Sequence, residues 1–132
     1  MSDETLNVVV DVPKGAFVKR HEDGSVDFVS PVPCPFNYGH LPGTLAGDND
    51  AIDAVILGPR LSAGTALNAT VQGRIRFIDA GEDDPKWIFA TRPLSQWQRF
   101  QVTAFFFIYG TTKRILNRMR GKPGATRYVG WI

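Results

Sequence analysis

In the N-terminal part of the chain, hydrophobic and polar positions alternate in short runs broken by proline and glycine. Leu6 to Val12 is rich in valine and ends at Pro13, which predicts a strand. Ser25 to Val29 alternates and predicts a second one. Pro31, Pro33 and Pro35 come in quick succession, so residues 30–35 are expected to be extended and irregular. Asp53 to Leu57 reads as a short buried strand closed by Gly58 and Pro59. The clearest pattern runs from Thr65 to Ile78, with Val71, Gly73, Ile75 and Phe77 on one face and Arg74 and Arg76 on the other. An acidic loop, Asp79 to Pro85, follows, and Trp87 to Thr91 is the strand expected to return from it. Then the period lengthens. Trp97, Phe100, Ala104, Phe107, Ile108, Ile115 and Met119 fit one helical stripe. Ser95 is placed to cap a helix that runs to Tyr109 and onward to Arg120, where Gly121 and Pro123 stop it. Tyr128 to Ile132 predicts a last short strand. Several short strands followed by one helix predict a mainly β (α+β) fold, a small β-barrel with a helix packed on it.

The length of 132 residues suits a single domain spanning residues 1–132, and the 43% of hydrophobic residues suffices for one core. The longest apolar run, Ala104 to Tyr109, is far too short to cross a bilayer, so no membrane association is expected. The first residues carry Asp3 and Glu4 where a signal peptide needs positive charge, and the lone Cys34 has no partner for an internal disulfide. Both features predict a cytoplasmic protein.

The net charge of +2 hides an uneven distribution. Seven of the 13 acidic residues fall into two clusters, Asp48, Asp50 and Asp53, and then Asp79, Glu82, Asp83 and Asp84. The C-terminal part is basic, with Lys113, Arg114, Arg118, Arg120, Lys122 and Arg127. Three ionised carboxylates held close repel one another, and a hard divalent cation removes the conflict. A carboxylate set with neither a histidine pair nor cysteines favours Mg²⁺ or Mn²⁺ over zinc. By itself the first cluster also fits a solvated acidic turn. The second cluster strengthens the metal reading if its hairpin meets the first, because paired cations can clamp the attacking and leaving oxygens of a phosphoryl transfer. Lys86 then offers a positive charge to a phosphate oxygen. An EF-hand is excluded, since the first cluster lacks that loop's glycine and terminal glutamate.

Asn37-Tyr38-Gly39, Leu41-Pro42-Gly43-Thr44-Leu45-Ala46-Gly47 and the Asp-x-Asp-x-x-Asp run from Asp48 to Asp53 resemble the signature of soluble family I inorganic pyrophosphatases. Pro59 follows in order, and Asp79 to Lys86 is similar to that family's Asp-(x)₄-Asp-x-Lys loop. Asp11-Val12-Pro13, Phe17-Val18-Lys19 and Tyr109 resemble further family positions, so the likeness runs over residues 6–131. The resemblance implies a closed five-stranded OB-like barrel with one flanking C-terminal helix, and Mg²⁺-dependent hydrolysis of pyrophosphate to two phosphates by an activated water. It implies metal ligation by Asp48, Asp53, Asp79 and Asp84, and Asp50 as the carboxylate that activates the water. Lys19, Tyr38, Lys86 and Tyr109 would contact phosphate, with Lys19 and Tyr38 counted among the catalytic residues, and Asp11 would be an outer metal or water contact. A homo-oligomer, commonly a hexamer in prokaryotic members, is implied as well.

The chain departs from the family pattern at several points. His21 stands where a carboxylate is usual, Phe28 falls near a phosphate-binding arginine, Gly110 follows Tyr109 in place of a lysine, and Ala51 replaces the usual proline. The chain also ends soon after Trp131, which reads as a C-terminally shortened relative. Lys113, one helical turn beyond Tyr109, is a candidate stand-in for the missing lysine. These departures keep three other readings open: hydrolysis of another phosphoanhydride, a non-catalytic subunit, and an OB-type module binding single-stranded nucleic acid. The acidic clusters argue against the last.

Overall fold

A computed structural model describes residues 5–16, 18–20, 25–29, 33–47 and 49–132, with backbone alone at 18–20 and 27–29. Its elements are strands β1 (Thr5–Val12), β2 (Val18–Arg20), β3 (Val26–Val29), β4 (Asn37–His40), β5 (Asp53–Ile56), β6 (Ala66–Asp79), β7 (Glu82–Asp83) and β8 (Lys86–Phe89), helix α1 (Gln96–Met119) and strand β9 (Arg127–Trp131). The sheet runs β1-β4-β5-β8-β6, and the pairing of β1 with β6 closes these five strands into a ring. All neighbours in the ring are antiparallel except β5 and β8, which run parallel with Asp53 opposite Lys86. The expected barrel-like architecture with one C-terminal helix is therefore what the chain forms. β2 and β3 make a separate hairpin, and β9 adds to the outer end of β6.

The predicted strands fall at β1, β3, β5, β6, β8 and β9 with small changes of boundary. β2 and β4 carry too little alternation to be read as strands. In β4, Asn37, Tyr38 and Gly39 are all buried, and Gly39 has no room for a side chain, since a Cβ there would lie 1.8 Å from the Val9 carbonyl oxygen across the β1–β4 pair. Close backbone approach, not hydrophobicity, fixes this residue.

Two apolar clusters result from the alternation of faces along the ring strands. One is built by ring strands alone, around Val8, Val10, Leu41, Ala54, Ile56, Val71 and Phe89. The other joins the opposite faces of the same strands, through Val55, Ile75, Phe77 and Ile88, to Val102, Phe105, Phe106 and Tyr109 of α1. Edge-to-face rings hold this second cluster, with Phe77 and Tyr109 centroids 5.4 Å apart and Phe36 and Phe105 4.9 Å apart.

Ser95 caps α1 as expected: its hydroxyl accepts from the Gln98 amide at 3.1 Å, and the Ser95 amide donates to Gln98 Oε1 at 2.9 Å. The stripe predicted as the core face is instead the outer face. Trp97, Phe100, Phe107, Ile115 and Met119 are each more than half exposed. The face turned to the sheet carries Val102, Phe105, Phe106 and Tyr109, and then Gly110, Lys113 and Asn117. Its C-terminal half is buried by polar contacts rather than apolar ones, so hydrophobicity marks the other side.

Candidate active site

Alternation along β5 and β8 places Asp53 on the face of Val55 and Lys86 on the face of Ile88, the side covered by α1. Their register pairing brings the two side chains together across 33 residues of sequence. The Lys86 ammonium donates to Asp53 Oδ2 at 2.6 Å and to Asp84 Oδ2 at 2.9 Å, and the residue is fully buried. Tyr38, reaching across from β4, donates its hydroxyl to the same Asp53 oxygen at 2.7 Å. The rings of Phe77, Tyr38 and Tyr109 surround the ammonium at 5.1, 5.6 and 5.6 Å from their centroids. Burial by itself would favour a neutral amine, but the charges of Asp53 and Asp84, with the tyrosines behind them, hold the Lys86 ammonium well above the ordinary lysine pKa.

The loop from β4 to β5 is tied by its own backbone. Leu41 N donates to Ile52 O at 2.9 Å, Ala46 N to Asp50 O at 2.8 Å, and Ile52 N to Thr44 Oγ1 at 3.0 Å, while Asn49 turns through φ 66°. The second acidic loop turns at Ala80 (φ 51°) and Gly81 (φ 83°) and is anchored by Ala80 N to Thr126 Oγ1 at 2.9 Å and Gly81 N to Ala125 O at 2.7 Å. The two loops meet. A Cβ on Gly47 would stand 3.0 Å from both Cβ and the carbonyl oxygen of Asp83, and Asp53 and Asp84 share one ammonium.

Asp79 sits at the end of β6 against α1, where Asn117 Nδ2 donates to its Oδ1 at 2.8 Å and Lys113 Nζ lies 3.6 Å from its Oδ2. Lys113 is buried 6.0 Å from the Tyr109 ring centroid, so one tyrosine borders both lysines. Asp11 Oδ2 on β1 shares a hydrogen bond with His40 Nδ1 at 2.7 Å, and His40 opposes Asp53 across the β4–β5 pair. Asp50 is exposed in its turn. Asp48, Phe17 and His21 lie outside the described residues, as do the side chains of Lys19 and Phe28, whose backbones are register partners in the β2–β3 hairpin. Sequence reasoning did not single out His40 or Asn117; the two-residue step from Tyr38 to His40 along β4 was the signal for the first.

Gly110 is explained by packing. A Cβ there would lie 3.0 Å from the Tyr128 amide nitrogen and 3.3 Å from the Phe77 ring. Lysine fits at this position only if α1 moves away from β9. Gly110→Lys is therefore expected to destabilise the fold by about 1–3 kcal/mol, read as a lowered urea midpoint, rather than to supply a phosphate contact. Cys34 is free and buried, and burial pushes its thiol up to about 12, which makes it inert.

The donors gathered here are carboxylate oxygens, whose chemistry fits Mg²⁺. Among the described residues, no three acidic, histidine or cysteine groups stand close enough to form a ligand cluster, and Asp48 is not one of those residues.

A closed ring of five strands with one C-terminal helix laid over a tyrosine, lysine and carboxylate cluster is the fold of inorganic pyrophosphatases. An inorganic pyrophosphatase from Coxiella burnetii superposes with a TM-score of 0.75 over 100% of this chain and 88% of its own, at 20% identity. One from Thermus thermophilus gives 0.74 over 98% and 83%, at 25% identity. The inorganic pyrophosphatase family model matches residues 8–113, and the chain belongs to that family. Soluble inorganic pyrophosphatase 1 of Arabidopsis thaliana is 39% identical over 93 residues, 64% of this chain and 44% of that protein. The inorganic pyrophosphatase of Saccharolobus solfataricus is 32% identical over 97 residues, 67% and 56% respectively. The chain thus spans about half the length of these relatives.

Proposed function

We propose that this protein hydrolyses inorganic pyrophosphate to two phosphates in a Mg²⁺-dependent reaction. The observation that carries the proposal is the meeting of the two acidic loops, with Asp53 and Asp84 on one buried ammonium and Asp79 on the neighbouring helix contacts. Asp48, Asp53, Asp79 and Asp84 would hold the cation. When bound, Mg²⁺ supplies Lewis-acid charge and makes water a nucleophile near neutral pH.

The chain's own residues orient and neutralise. Asp50 takes a proton from the attacking water. Lys19, Tyr38, Lys86 and Tyr109 hold phosphate oxygens and offset the charge that develops on the leaving phosphate. Lys113 adds a cation beside Tyr109, where the family pattern has its lysine one turn earlier. Asp11 orients solvent from the rim together with His40.

Purified protein is expected to release phosphate from pyrophosphate with Mg²⁺, and to fall to the uncatalysed rate in EDTA. Equal release under both conditions would defeat the metal-dependent reading. Faster release from triphosphate than from pyrophosphate would reassign the substrate to another phosphoanhydride. No release from any of these, with the fold intact, would favour a non-catalytic subunit.

Two further readings rest on the family and on composition. Homo-oligomerisation agrees with the exposed apolar face of α1 at Trp97, Phe100, Phe107, Ile108, Ile115 and Met119, and light scattering on the eluted protein tests it. A cytoplasmic setting agrees with the inert, unpaired Cys34, and no described helix is long and apolar enough to cross a membrane.

A further inference from the structure

Asp79 ends β6, and its side chain is 23% exposed, so an ion from solvent can reach it. What holds this carboxylate comes from the last turn of α1 and the segment that follows. Asn117 Nδ2 donates to Asp79 Oδ1 at 2.8 Å and to Thr126 Oγ1 at 2.8 Å. Thr126 Oγ1 also accepts from the Ala80 amide at 2.9 Å. One hydroxyl thus joins the Asn117 amide to the backbone next to Asp79. Asn117 and Thr126 are both buried. Lys113 Nζ lies 3.6 Å from Asp79 Oδ2, an ion-pair distance beyond hydrogen-bonding range. Oδ1 is therefore the oxygen the protein fixes, and Oδ2 is the less committed of the two.

Anchoring the turn at Ala80 does not by itself call for Asn117. Gly81 N donates to Ala125 O at 2.7 Å, and Gly124 packs so closely that a Cβ there would lie 2.6 Å from the Ala80 carbonyl carbon. Those contacts already tie residues 124–125 to the turn. Asn117 adds a bond to a carboxylate oxygen, and a donor on one oxygen sets where the other one points. Ala80 adopts φ 51°, a conformation that a non-glycine residue keeps only with outside support, and Thr126 supplies that support directly after Asp79. Asn117 and Thr126 lie beyond residues 8–113, over which the family model matches, so the match itself assigns them no role.

We propose that Asn117 and Thr126 are positioning residues for Asp79: they preset its carboxylate, and the turn after it, for capture of a divalent cation. This role rests on Asp79 being a cation ligand. The test titrates Mn²⁺ into metal-free protein without substrate, well below the melting point of each variant, and follows free Mn²⁺ by its electron paramagnetic resonance signal. Thr126→Val keeps the shape and removes the hydroxyl. Asn117→Ala removes the donor together with a buried Oδ1 that has no hydrogen-bond partner among the described residues. Each should weaken Mn²⁺ binding about 10–100-fold. Thr126→Ser restores the hydroxyl and should bind within about threefold of wild type. Arg114→Ala is the structural control. It removes another side-chain bond to the same segment, Nε to Thr126 O at 3.0 Å, without touching Asp79. Its Mn²⁺ affinity should also stay within about threefold of wild type. If one of Asn117→Ala and Thr126→Val fails to fold, the other carries the comparison. Wild-type protein that binds no Mn²⁺ would defeat the cation reading of Asp79 and this role with it. Wild-type binding with unchanged affinity in the folded variants would overturn the positioning role alone. So would equal weakening by Arg114→Ala, which would trace the effect to general loosening of the segment.

Discussion

Lys86→Met should lower folding stability by about 3–5 kcal/mol, because it strips the ammonium from two carboxylates that stay in place at a poorly solvated site. For a chain of 132 residues this corresponds to a melting point lowered by roughly 10–20 °C. The loss should exceed that of an ordinary surface ion pair, worth at most about 1 kcal/mol, since Lys86 is fully buried and Asp53 and Asp84 are nearly so. Adding Asp53→Asn to Lys86→Met should return part of the stability, as one uncompensated charge disappears. The pH dependence has a definite sign. The folded pKa of Lys86 lies above the ordinary value of 10.5, so its contribution is fully present below that pH and is lost only as pH rises through the folded value. The difference between wild type and Lys86→Met should therefore be constant through neutral pH and narrow only above about pH 10.5. A variant within about 1 kcal/mol of wild type in urea unfolding would show that the cluster is solvated and that Lys86 does not organise it.

Asp50→Asn should reduce pyrophosphate hydrolysis by about 10²–10⁴-fold if this carboxylate accepts the proton of the attacking water. The substitution keeps shape while removing charge and basicity, and Asp50 is exposed in a turn held by backbone bonds between Ala46 and residues 49 and 50, so the melting point should move little. The informative comparison is kcat against KM. Loss of a proton acceptor lowers kcat with KM little changed, whereas loss of a cation ligand would raise the Mg²⁺ requirement and be overcome by excess metal. Hydrolysis by Asp50→Asn at the wild-type rate would remove the residue from its assigned role.

The fold was legible where a pattern acts locally. β1 and β6 are legible from their alternation, although the register shift between Val71 and Gly73 puts Val71 in the cluster opposite that of Ile75 and Phe77 instead of on their face, and α1 announces its start through the Ser95 capping box. The face of α1 was misread for a physical reason. Between Gly110 and Asn117 its inner side is buried by ion pairing, hydrogen bonding and close backbone packing, with Lys113 and Asn117 at Asp79 and Gly110 against Tyr128. The oily side left outside is the more regular of the two. The burial of Lys86 was not legible, because burial of a charge depends on which strands become neighbours. The parallel β5–β8 contact that buries it joins segments with no local signal for each other. His40 and Asn117 escaped notice similarly: each becomes informative only once its carboxylate partner has arrived from another element.

The parallel contact between β5 and β8 also bears on how the protein folds. The pairs Asp53–Lys86 and Thr5–Thr70 are both distant along the chain, and the ring is incomplete without either strand contact. Such remote pairings close late and slowly, because loop entropy must be overcome before they stabilise anything. Before those contacts form the two acidic segments would be apart, and the Asp53–Lys86–Asp84 cluster should form in the same kinetic phase as the last strand to dock.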